Sequence, residues 1–210
     1  MEVMRVLRQP VIGVKGIKIL GIDPGLSSIG ISLIESIPMP NIYKYNLLYA
    51  SVIHTEKSNK KDLVNIRLTN DNLRRYIEIY DRLEYIRKNS FFINVSFAEL
   101  TAIAIEAYMP RMQASNAWKT AIVFGGCIFW ACSVGMRPFA FLPLDIKKRF
   151  CNKKETSKID VQKAISIIVM GFDSCISANN KGDHEHITDS TGHAILLTEE
   201  LVKNRYLLDI

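Results

Sequence analysis

The chain has 210 residues, 48% hydrophobic and 23% charged, a balance that excludes extended disorder and fits one soluble domain with a sizeable core. Its formal charge of +6 favours a polyanionic partner, although charge alone does not separate nucleic-acid binding from plain solubility. The four cysteines, Cys127, Cys132, Cys151 and Cys175, lack Cys-x-x-Cys spacing, which argues against a zinc site or disulfide framework and points to a reducing intracellular compartment: cytoplasm, nucleoid or DNA-containing organelle.

Residues 1–16 read as a short N-terminal arm, because Pro10, Gly13 and Gly16 interrupt any periodic pattern and no secretory signal is present. Residues 17–210 read as one domain. From Ile17 to Glu35 two short β-branched runs flank Pro24-Gly25, which predicts two buried strands joined by a tight turn. Asp23 closes the first strand. A carboxylate there faces a cleft, binds a cation or bonds to backbone N–H groups; the plainer alternative is an aspartate that merely starts the turn. Pro38–Asn41 reads as a turn and Tyr43–His54 as a third strand.

From about Lys60 to Asn89 the spacing predicts a long amphipathic helix whose apolar face carries Leu63, Ile66, Leu73, Ile77 and Tyr80, with Arg67, Arg74, Arg75, Glu78 and Arg82 mostly elsewhere. Ala102–Ile105 reads as a buried strand that delivers Glu106 to its end. Met109-Pro110 breaks the chain, and Ser115 or Asn116 is placed to cap a helix from Ala117 to about Val134. Within it Gly125-Gly126 requires close packing to offset a helix penalty of roughly 1 kcal/mol each, and Trp118, Phe124, Phe129 and Trp130 are expected in the core. The uncharged stretch Thr120–Met136 falls short of the ~20 residues of a membrane span, so no membrane partner is expected.

Arg137–Pro143 reads as a fifth strand and Asp145–Phe150 as a helical turn or two. Lys147, Lys148, Arg149, Lys153, Lys154 and Lys158 form the densest basic run, suited either to a solvated face or to phosphate contacts. A helix over Ile159–Met170 and a polar loop over Ser174–Lys181 follow. In a last helix beginning near His186, the spacing sets His186, Asp189 and His193 on one face, with Ala194, Leu197 and Leu201 supplying the apolar side.

Gly21-Ile22-Asp23-Pro24-Gly25 with Gly30, then Ala104-Ile105-Glu106, Thr156–Gln162 and His186-Ile187-Thr188-Asp189 resemble, in order, the motifs of RuvC-type Holliday-junction resolvases. The resemblance spans residues 17–202. It implies an α/β ribonuclease-H-like fold, a mixed five-stranded sheet with helices on both faces, and a structure-specific endonuclease that resolves four-way DNA junctions by paired symmetric nicks. It implies a site of Asp23, Glu106, His186 and Asp189, with a carboxylate common in the family at the third position and histidine an alternative, and a homodimer, for which Gly125-Gly126 is the candidate contact. The basic run, Tyr108 and Arg111 become DNA-facing; where many members place a phenylalanine after the glutamate, this chain has Tyr108 and Met109.

The residue types suit that chemistry. Phosphodiester hydrolysis needs both the attacking and the leaving oxygen stabilised, which two Mg²⁺ ions do when hard oxygen ligands hold them. Asp23 would bridge, Glu106 and Asp189 would each serve one ion, and His186 would be a ligand or proton shuttle that favours Mn²⁺ tolerance. The same four residues would also serve a nuclease on other branched DNA or on RNA–DNA hybrids. Alternatives from other classes are a non-catalytic junction-binding protein and an actin-like or sugar-kinase ATPase.

Overall fold

The structure, a computed structural model, describes residues 16–39, 42–58, 68–88, 100–108, 117–151 and 157–204. Strand β1 (Lys18–Asp23) pairs antiparallel with β2 (Ser28–Met39), which pairs antiparallel with β3 (Ile42–His54). On the other side β1 pairs parallel with β4 (Ala102–Glu106), and β4 parallel with β5 (Pro138–Phe141). These are the five expected strands. A sixth, β6 (Val169–Met170), runs parallel to the far edge of β3 and completes the order β5-β4-β1-β2-β3-β6.

Alternation sorts the strand side chains between two layers. Leu20 and Ile22 of β1, Ile29, Ile31 and Leu33 of β2, and Ile103 and Ile105 of β4 face helices α1 (Leu68–Lys88) and α2 (Ala117–Ser133). Ile19, Ile34, Ala102 and Ala104 face the opposite layer: α3 (Pro143–Cys151), α4 (Lys158–Ile168), α5 (Phe172–Ala178) and α6 (His184–Lys203). The same parity turns Asp23 and Glu106, ending adjacent parallel strands, towards α6. No helix among the described residues is long and apolar enough to cross a membrane.

Four expectations need correction. The helix predicted through Met170 stops at Ile168, because Val169 buries beside β3 and Gly171, with φ of 82°, turns the chain. The stretch predicted as a loop from Ser174 lies largely in α5, where Phe172 and Ile176, four residues apart, are both buried. In α1 the expected face is reversed: Leu73 and Ile77 are 56% and 54% exposed, while Arg75, Ile79, Leu83 and Ile86 face the sheet. The helix carries two apolar stripes, and burial selects the one containing Arg75; Leu63 and Ile66 lie outside the described residues. In α2, Trp130 is buried and donates to Glu84 (2.9 Å), and Phe124 packs on the core, but Trp118 and Phe129 are exposed. Gly125 and Gly126 meet nothing within 4 Å, so the close packing expected there does not come from the described residues.

The close packing lies instead under α6. A Cβ at Gly21 would fall on the carbonyl of Ser190, and one at Gly30 on the carbonyl of His186. Helix backbone therefore rests on sheet backbone, sealed by buried hydroxyls: Ser32 Oγ lies 2.6 Å from Ser190 Oγ and accepts from Thr191 Oγ1 at 2.9 Å. Gly21→Ala and Gly30→Ala should each destabilise the chain by about 1–3 kcal/mol, the usual range for overpacking, or by more because the obstacle is backbone. Gly125→Ala, in open space within a helix, should be neutral or stabilising by up to about 1 kcal/mol. Urea midpoints for the three variants check the contrast; equal midpoints would contradict it.

Candidate functional site

Three elements deliver the predicted residues to one end of the sheet. β1 ends on Asp23 and β4 on Glu106, one step beyond the paired residues Ile22 and Ile105. α6 crosses them, and its first turns carry His186 and Asp189. His186 Nδ1 lies 2.6 Å from Asp23 Oδ2, and His193 Nε2 lies 3.0 Å from Glu106 Oε2. Asp23 does not simply start a turn; its side chain is engaged by a residue 163 positions away.

Burial and neighbouring charges both act on the titratable groups here. Burial pushes the Asp189 carboxyl up to about 7, and the charges of Asp23 and Glu106 push in the same direction, against Lys158 and His186. The hydrogen bond to Asp23 raises His186 above the ordinary imidazole range; burial opposes it, and the charges of Asp23, Asp189 and Asp183 add to it. Among the described residues no three acidic, histidine or cysteine side chains form a cation cage; Asp23 is engaged with His186 and Glu106 with His193. The donor set nevertheless fits a hard divalent cation: three carboxylates and an imidazole, with one carboxyl unable to ionise fully beside the other two.

The basic run divides. Lys147, Lys148 and Arg149 lie on α3, where Arg149 donates to both oxygens of Glu199 at 2.6 Å and Lys148 lies 3.8 Å from Asp145. Lys158 opens α4, whose capping box pairs Ser157 with Asp160. It is ion-paired with Glu185 of α6 and close enough to influence Asp189. Lys153, Lys154 and Arg111 lie outside the described residues, and Tyr108 is partly buried just past β4.

Three features escaped the sequence reading. A cavity of about 360 Å³ opens beside His186, lined by Gly25, Leu26, Ser27, Ser28, Lys57, Arg75, Lys119 and Thr120, with no acidic side chain. Arg75 is structural there, since its guanidinium donates to Leu26 O (3.0 Å), Ser27 Oγ (3.0 Å) and Thr55 Oγ1 (2.9 Å). The third is the bond from His193 to Glu106. The seven-residue step from His186 indicated a shared face, but a parallel register between β1 and β4 was needed to show which carboxylate each histidine meets.

A mixed sheet in this order, with helices on both faces and acids at the ends of the central parallel pair, is the α/β ribonuclease-H-like fold. Within it the chain has the fold of RuvC-type Holliday-junction resolvases. No protein-family model matches the sequence, and no curated protein does. Among solved structures, a Thermus thermophilus RuvC superposes with a TM-score of 0.62 at 19% identity, covering 90% of this chain and 96% of that one. A second, T. thermophilus RuvC in complex with Holliday junction substrate, gives 0.61 at 20% identity, covering 89% and 94%.

The raised pKa values set a stability prediction. A group raised by folding contributes stability that is full below its unfolded pKa and lost as pH rises through its folded value. For Asp189 the loss runs from about 4 to about 7, and for His186 it lies above ~6.5. Glu84, held at about 2 chiefly by its hydrogen bond from Arg87, acts only at lower pH. Without divalent ions, Tm should fall by several degrees between about pH 5 and pH 8, and Asp189→Asn should flatten the decline and melt higher at the alkaline end. Calorimetry in EDTA tests this; a Tm that rises across the range would contradict it.

Proposed function

We propose that this chain is a divalent-cation-dependent endonuclease that nicks paired strands of a four-way DNA junction. The observation that carries the reading is the convergence of Asp23, Glu106, Asp189 and His186 from β1, β4 and α6 at one sheet end, on the fold of a resolvase seen with Holliday junction substrate. Asp23, Glu106 and Asp189 would hold Mg²⁺, two ions in the fullest form, with Mn²⁺ tolerated. Bound there, the ions supply positive charge to the attacking and leaving oxygens of the phosphodiester. His186 donates from Nδ1 to Asp23, which leaves Nε2 as the atom able to hold or pass a proton. Its pairing with Asp23 fixes the ring across the cleft.

Two further parts belong to the reading. The cavity beside His186 suits a backbone phosphate of the bound strand, because Lys57 and Lys119 line it with the hydroxyls of Ser27 and Ser28. Lys158, ion-paired with Glu185 and near Asp189, extends the basic path. The second part is a homodimer, since paired nicks need two sites. The outer surface of α1 and α2 exposes Leu73, Ile77, Ile122 and Phe129, with Gly125-Gly126 covered by none of the described residues, a face suited to a second copy.

Asp23→Asn and Glu106→Gln should each lower cleavage of a synthetic junction by at least a thousandfold in Mg²⁺, with junction affinity in Ca²⁺ changed less than about threefold, because each removes a ligand and leaves the basic surface intact. Mixed with wild type, Asp23→Asn should shift the products from paired nicks to single nicks, as an active and an inactive copy share one junction. Normal turnover in either variant would defeat the site. Junction binding without cleavage by wild type in Mg²⁺ or Mn²⁺ would leave only a binding protein, and equal cleavage of flaps or RNA–DNA hybrids would remove the junction specificity.

Replacing Lys57 and Lys119 together with alanine should weaken binding to every DNA and reduce the slope of log affinity against log salt by about 1–2, the loss expected for one or two phosphate contacts. Filter binding across a salt series measures the slope. An unchanged slope would return both lysines to the solvated surface.

A further inference from the structure

Of the three histidines of α6, His184 lies against Asn179 O (3.2 Å) and His186 belongs to the site just described; His193 belongs to no set yet. His193 is fully buried, seven residues beyond His186 and four beyond Asp189, on the stripe that faces the sheet. Its Nε2 is 3.0 Å from Glu106 Oε2, while its Nδ1 is buried with no hydrogen-bond partner among the described residues. A buried ring nitrogen without an acceptor is poorly placed to carry a proton, so the geometry selects the tautomer with the proton on Nε2, donated to the glutamate. Phe141 stacks on the ring at 6.5 Å with planes 26° apart. Phe141 is also the strand partner of Glu106, and its carbonyl accepts from Ala107 N–H at 2.7 Å. The ring is thus held between the strand that carries the glutamate and the strand beside it.

We propose that His193 is a positioning residue for this reaction: its Nε2–H fixes the Glu106 carboxylate in one rotamer, occupies Oε2 and leaves Oε1 for the cation. The inference rests on the metal-site reading above. The chain's other residues show why such a clamp is needed. Glu106 has one more rotatable bond than Asp23, is 23% exposed in its side chain, and lies near the Asp189 carboxyl, so a charge on that neighbour would favour turning it outward. A buried histidine one turn beyond Asp189 holds it in. Outer hydrogen bonds of this kind typically change metal affinity by about 10–100-fold when removed.

Three variants test the proposal. His193→Gln keeps an N–H donor near the Nε2 position, His193→Phe keeps a buried ring without a donor, and His193→Leu controls for loss of the ring. Mn²⁺ affinity is read by electron paramagnetic resonance without DNA, and junction cleavage is separated into kcat and KM. His193→Phe and His193→Leu should bind Mn²⁺ about 10–100-fold more weakly and lose kcat with KM nearly unchanged, while His193→Gln recovers most of both. Imidazole ¹⁵N shifts of the metal-free chain should place the His193 proton on Nε2 and should move in Glu106→Gln. Normal Mn²⁺ affinity in His193→Phe, equal impairment of the Gln and Phe variants at equal Tm, or a proton on Nδ1 would each overturn the proposal. Failure of the underlying reading looks different: wild type itself would then bind no Mn²⁺ and cut no junction.

Discussion

Helix α6 rests on the sheet backbone at Gly21 and Gly30, with no side chain between, and the geometry of the site follows from that separation. If these positions carried alanine, the helix would have to rise until His186 and His193 could no longer reach carboxylates rooted in the strands below. Ser32, Ser190 and Thr191 fill the narrow gap with hydroxyls that satisfy one another, which suits a space too thin for branched apolar side chains. The cost is packing energy that larger residues would have contributed. Beyond the glycines the contact turns apolar, and Ala194, Ile195, Leu197 and Leu201 anchor the rest of the helix among Ile19, Ile34, Ala102 and Ala104.

That closeness has an electrostatic consequence. Asp23, Glu106 and Asp189 are brought together where water cannot screen them fully, and Asp189 responds by holding its proton up to about 7. Two histidines from the same helix each engage one of the strand carboxylates. They differ in exposure: His186 is 29% exposed in its side chain and adjoins a cavity, whereas His193 is sealed. A group that must exchange partners belongs where His186 is, and one that must hold a fixed geometry belongs where His193 is.

Much of this was legible in sequence because each acid ends an apolar run whose period is short and whose turn residues are distinct. Gly21 to Gly25 and Ala102 to Glu106 read as strands closing on carboxylates, and the stripe through His186, Asp189 and His193 read as one helical face. What failed did so for identifiable reasons. α1 carries two apolar stripes, and local spacing cannot say which one meets the sheet; the answer lies in Arg75, whose guanidinium reaches back to Leu26, Ser27 and Thr55, contacts 20 to 49 residues away in sequence. Val169 and Met170 have no strand signal apart from the edge of β3 that they join. The partner of His193 depended on the parallel pairing of β1 with β4, which no periodicity encodes.

The misread stripe of α1 bears on how two copies would share one junction. Leu73 and Ile77 of α1 and Ile122 and Phe129 of α2 are exposed on one helical layer, while α6 belongs to the opposite layer, and the cavity beside His186 draws on both, since Arg75, Lys119 and Thr120 line it. A second copy docked there, as proposed above, would bury exposed apolar groups, and at Gly125-Gly126 no side chain among the described residues stands in the way. It would do so without covering α6. Each of these glycines lowers helix stability by roughly 1 kcal/mol relative to alanine, a loss that nothing among the described residues offsets.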